Sequence, residues 1–122
     1  MYSPQLLDHF QYPRNVGEVI DADATVDLEN PVCGDVIRLS AKFDGGRIAE
    51  IKFKAQGCVP AMACASAITE LVIGKSFNQA RLITGEDLTE ALGGLPEASS
   101  HAAQLALDAL SALFQKKQFR RE

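Results

Sequence analysis

Val36-Ile37-Arg38-Leu39-Ser40-Ala41-Lys42-Phe43 and Arg47-Ile48-Ala49-Glu50-Ile51-Lys52-Phe53-Lys54-Ala55 flank the turn Asp44-Gly45-Gly46. Ile37, Leu39, Ala41 and Phe43 alternate with Val36, Arg38, Ser40 and Lys42. Ala49, Ile51, Phe53 and Ala55 alternate with Ile48, Glu50, Lys52 and Lys54. A period of two gives each strand one apolar and one mostly polar face. Asp-Gly-Gly suits an antiparallel reversal, so the stretch reads as one β-hairpin. If Phe43 pairs with Arg47, Cys33 faces Gly57; a turn one residue longer sets Cys33 against Cys58. Both registers bring the two thiols to the open end of the hairpin with the Asp35 carboxylate near them, a donor set that suits a metal.

Working outward, Ser3 caps a short first helix with Pro4 at its first position, and Pro13 stops it. A strand is expected over 24–28. Pro60 opens a helix that Gly74 ends, with an apolar stripe of Ala61, Ala65, Ile68 and Val72. Ser76 caps a short helix over 77–82, and Thr84 with Asp87 forms a capping box for the next. Ser99 or Ser100 caps the last and longest helix, which buries Ala103, Ala106, Leu107, Leu110, Leu113 and Phe114. The expected class is α+β: a small three-stranded antiparallel sheet with one face covered by about five helices, in one domain over 1–122.

The 122 residues carry a net charge of −4 and are 47% hydrophobic. That balance gives no electrostatic case for nucleic acid. The one basic cluster, Lys116-Lys117 with Arg120-Arg121, reads as a solvated helix end. No apolar run is long enough to span a membrane. Three cysteines make an odd number for a disulfide framework, so a reducing, cytoplasmic setting is expected.

Each candidate ligand has a plainer reading beside it. Cys33 and Cys58 read as ligands rather than inert buried thiols, because both have glycine neighbours and share one end of the hairpin. The helix start opened by Pro60 is expected to favour a Cys58 thiolate. Asp35 is evenly balanced between a weak, releasable ligand and a solvated strand-end acid. His101 lies in the first turn of the last helix, where a neutral, metal-competent ring is favoured; spacing alone does not bring it to the hairpin. Cys64 reads first as a small core residue and second as a reserve thiol. His9 reads as a packing or surface histidine.

Several motifs in order then resemble the IscU/NifU family of iron–sulfur cluster assembly scaffolds. They are Asp8-His9-Phe10-Gln11-Tyr12-Pro13-Arg14-Asn15-Val16-Gly17, Cys33-Gly34-Asp35, Phe53-Lys54-Ala55-Gln56-Gly57-Cys58, Gly74-Lys75-Ser76, and Leu92-Gly93-Gly94-Leu95-Pro96 followed by His101. The resemblance implies a non-enzymatic scaffold. It would receive sulfur from a cysteine desulfurase, combine it with iron into a transient [2Fe–2S] cluster and pass that to acceptor proteins, with Zn as a second occupant of the same site. It implies Cys33, Cys58 and His101 as ligands and Asp35 as the labile one. The family's third cysteine, directly after the histidine, is Ala102 here. Its Leu-Pro-Pro-Val-Lys chaperone-docking stretch reads Leu95-Pro96-Glu97-Ala98-Ser99, without the lysine, which puts a dedicated chaperone partner in doubt.

Three readings follow. The first is a cluster scaffold using Cys33, Asp35, Cys58 and His101, with Cys64 in reserve. The second is a Zn-binding or desulfurase-binding regulatory relative that no longer builds clusters. The third is a thiol or sulfur-relay protein using Cys33 and Cys58.

Overall fold

The structure, a computed structural model, describes residues 2–31 and 34–120, the side chains of 117–120 excepted. The elements run α1 (Pro4–Gln11), β1 (Ala24–Asn30), β2 (Asp35–Asp44), β3 (Arg47–Gln56), α2 (Val59–Val72), α3 (Phe77–Arg81), α4 (Gly85–Ala91), a 3-10 turn (Glu97–Ser99) and α5 (Ser100–Arg120). The sheet is antiparallel in the order β1-β2-β3. The expected α+β class, three-stranded sheet and long last helix are all present.

Helix boundaries follow the capping chemistry. The Ser3 hydroxyl accepts the Leu6 N–H, and Ser76 and Thr84 form complete capping boxes with Gln79 and Asp87. Each such cap satisfies a backbone N–H that the helix itself cannot, worth about 1 kcal/mol. α2 starts at Val59, one residue before Pro60, so Cys58 occupies the N-cap position.

The hairpin register is the expected longer-turn one at the turn and differs from both expected ones beyond a bulge. Gly45 and Gly46 have φ of +59° and +79° and close a two-residue turn between Asp44 and Arg47. Phe43 then pairs with Ile48, and a bulge follows, after which Lys42 pairs with Glu50 and Val36 with Gln56. The bulge puts one more residue into β3 than into β2. It therefore turns Ile48 into the core and leaves Ala49 exposed, the reverse of the simple alternation. Beyond the last ladder pair, this register sets Asp35, not Cys33, against Gly57. Cys33 itself lies outside the described residues.

Ile37, Leu39, Ala41, Ile51 and Phe53 form the apolar sheet face, and α2 and α5 pack on it. Each such large side chain stabilises the fold by roughly 1.5–3 kcal/mol. α2 is buried on nearly every side: Ala61, Ala63, Cys64, Ala65, Ser66, Ala67 and Ile68 are all inside. Its small side chains let it lie between α1, α5 and the sheet. Phe77 meets Phe43 at 5.0 Å and Phe114 at 5.8 Å, both edge to face, joining the turn end of the hairpin to α3 and α5.

The opposite sheet face carries Arg38, which bonds Asp27 and Glu18. The free edge of β3 is partly covered by the N-terminal segment: Gly17 N–H donates to the Phe53 carbonyl and Phe53 N–H to the Asn15 carbonyl, both at 2.8 Å. Among the described residues no helix is long and apolar enough to cross a membrane.

Candidate metal centre

Four elements meet at the open end of the hairpin. β2 begins at Asp35, β3 ends one residue before Gly57, Cys58 caps α2, and His101 lies in the first turn of α5. Gly57 adopts φ +145°, open to glycine and hostile to other residues. A Cβ there would collide with the Asp35 carboxylate and lie 3.0 Å from the Asp35 Cα. The missing side chain is therefore what admits the carboxylate.

Asp35 is 1% exposed, so it is not a solvated strand-end acid. Its Oδ1 accepts the Cys58 backbone N–H at 3.1 Å, and its Oδ2 accepts the Cys58 thiol at 3.4 Å. The same Oδ2 lies 3.6 Å from His101 Nε2. One donor atom from each of Asp35, Cys58 and His101 lies within 4.8 Å of the others. Ligands about 2.0–2.3 Å from a tetrahedral ion stand roughly 3.3–3.8 Å apart. The 3.4 and 3.6 Å separations fall inside that window, so an ion can enter with small side-chain movements. One sulfur, one nitrogen and one oxygen donor fit Zn or iron equally.

The Cys58 thiol is pushed above its ordinary value, first by burial and also by the hydrogen bond and charge of Asp35. The Ala61 backbone N–H pulls the other way and does not prevail. The helix start therefore does not deliver the thiolate expected from sequence. Burial next to a carboxylate holds the proton on sulfur until a cation displaces it.

The sequence-predicted residues divide as follows. Asp35, Cys58 and His101 converge. Cys33 falls outside the described residues. Cys64 is fully buried inside the core, its thiol pushed up to about 12 by burial first and Cys58 second, and it is not part of the three-residue group. Among the described residues both cysteines are free thiols.

The chain matches the family described as NifU-like N terminal domain over residues 1–121. It belongs to that family. The iron-sulfur cluster assembly scaffold protein IscU 1 of Archaeoglobus fulgidus is 47% identical over 110 residues, covering 90% of this chain and 72% of that protein. The iron-sulfur cluster assembly scaffold protein IscU of Escherichia coli K12 is 39% identical over 125 residues, covering 99% and 97%. A crystal structure of the N-terminal part of a nitrogen-fixing NifU-like protein from Brucella abortus superposes with a TM-score of 0.80 at 14% identity, covering 98% and 95%; at that identity the likeness is one of fold.

In this NifU-like N-terminal domain Ala102 is fully buried, so the residue after His101 is a core position. Two features escaped the sequence reading. Gly57, which in the sequence stands only as a glycine neighbour of Cys58, makes room for Asp35. His9 is 7% exposed and belongs to a polar network. Its Nδ1 lies 2.8 Å from Ser66 Oγ, its Nε2 3.6 Å from Glu70, and Ser66 Oγ also accepts the Arg14 N–H. Ser66 and Glu70, four apart on α2, were the available signal.

Proposed function

We propose that this chain is an iron–sulfur cluster assembly scaffold, a single domain over 1–122 that holds iron and sulfide as cargo and does not turn a substrate over. The observation that carries the reading is the convergence of Asp35, Cys58 and His101 on one point, in a chain of the NifU-like N-terminal family. With Cys33 they make a four-group site. A cysteine desulfurase supplies the sulfur, and acceptor proteins take the finished [2Fe–2S] unit. Only two of the four ligands are thiolates. Asp35 exchanges between ion and Cys58 N–H, so the cargo is held weakly and released readily.

A second reading, Zn binding without cluster assembly, is favoured by one observation: the Asp35 carboxylate oxygen already stands at tetrahedral separations from both the Cys58 sulfur and the His101 nitrogen. Metal and sulfide analysis, with the visible spectrum, of protein purified without oxygen separates the two. Iron and sulfide near 1:1, with sulfide-to-iron charge-transfer bands lost in Cys58→Ala, supports the scaffold. Zn alone, persisting after attempted reconstitution, sinks it.

A further inference from the structure

A groove of about 780 Å³ runs between α4 and the first two turns of α5, and none of Asp35, Cys58 and His101 lines it. Half-buried Leu95, Pro96 and Leu107 give it an apolar floor, and exposed Glu86, Glu90 and Glu97 form its rim. Asp87 also lines it, but its carboxylate accepts the Thr84 N–H. No lysine or arginine lines it. Outside the groove, Glu18 and Asp27 pair with Arg38, and Asp8 and Glu70 with Arg14. Glu86, Glu90 and Glu97 have no ion-pair partner among the described residues.

We propose that this groove receives the basic C-terminal segment, residues 117–121, of a second copy of the chain. Lys117-Gln118-Phe119-Arg120-Arg121 supplies three cations and one aromatic anchor within five residues, the counterpart of an acidic rim over an apolar floor. Its neighbour Lys116 is already engaged, donating to the Thr25 carbonyl at 2.8 Å. The segment cannot reach its own groove. Leu107, which lines the groove, and Lys117 are about 15 Å apart along one continuous helix, α5. The occupant must therefore come from another molecule. A two-fold arrangement with antiparallel α5 helices puts each tail in the other's groove, closing the contact as a dimer.

Sedimentation of the full chain at low and high salt tests this. Wild type should self-associate at low ionic strength, and the association constant should fall on the order of tenfold at 0.3 M salt as screening shortens. A groove variant, Glu86→Gln/Glu90→Gln/Glu97→Gln, and a tail variant, Lys117→Gln/Arg120→Gln/Arg121→Gln, should each be monomeric. Mixed together, they should associate again, because one contributes an intact tail and the other an intact groove. Circular dichroism checks that both variants fold; Glu86, Glu90 and Glu97 are exposed. A wild type that stays monomeric at low salt overturns the proposal. So does self-association that both variants retain. A monomeric wild type that nevertheless binds a labelled peptide of residues 115–122 also overturns it, and moves the occupant to another protein's basic segment.

Discussion

The Asp35 carboxylate occupies the space that a side chain at Gly57 would need. The backbone there, at φ +145°, is strained for any other residue. Gly57→Ala should therefore destabilise the fold by about 3 kcal/mol, from backbone strain plus expulsion of a buried, hydrogen-bonded acid. Urea unfolding measures the loss. Bound metal should fall in parallel, since Asp35 and Cys58 separate. A variant with wild-type stability and metal content would show that the carboxylate does not depend on that gap.

Asp35 also sets the behaviour of the Cys58 thiol. Burial is the larger cause of its raised value, and Asp35 adds to it. Asp35→Asn removes the charge and keeps the shape. It should lower the thiol's titration point and speed iodoacetamide alkylation of Cys58 at pH 8 by roughly threefold to tenfold, because the thiolate is the nucleophile. Mass mapping separates Cys58 from the other cysteines. An unchanged or slower rate would mean that burial alone governs the thiol.

How far the sequence carried the reading depended on the range of the forces involved. Caps at Ser3, Ser76 and Thr84 are satisfied within three or four residues, and all three were legible. The sheet was legible from a period of two, and the chemistry of Asp35, Cys58 and His101 from residue type and family motif. The hairpin register was not, because a bulge next to Phe43 is chosen by packing: Ile48 gains burial and Ala49 gives it up. That shift exchanges Asp35 for Cys33 opposite Gly57. Between packing and surface for His9 the sequence did not decide, since its partners Ser66 and Glu70 lie more than fifty residues away.

Cys64 is a packing residue by geometry, fully buried and outside the ligand group. Cys64→Ala should cost about 1 kcal/mol for the lost sulfur contacts and leave cluster yield and lifetime unchanged after anaerobic reconstitution. A clear drop in lifetime would restore it as a reserve ligand.

Ala102 follows His101 and is fully buried. Ala102→Cys should cost about 1–3 kcal/mol from overpacking a filled position. If ligand number limits the site, the same variant should lengthen the lifetime of a reconstituted cluster several-fold, read as decay of the visible bands. A stability loss without a gain in lifetime would show that the buried position cannot present its sulfur to the cargo, and that Ala102 is not what makes the site labile.

His9 gives the fold a dependence on pH. Burial, and then the Arg14 charge, hold it below its ordinary value of 6.5, against the opposing pull of Glu70 and Asp8. Above that value the ring is neutral in both folded and unfolded chains, and its contribution is fully present. As pH falls below it, the unfolded chain takes up the proton first, so stability declines until the folded-state value is passed. Urea midpoints should therefore fall as pH drops below about 6.5, and His9→Gln should flatten that slope while lowering the midpoint at pH 8. If the variant keeps the wild-type slope, the acid sensitivity belongs to other groups, and the His9–Ser66–Glu70 network only ties α1 to α2.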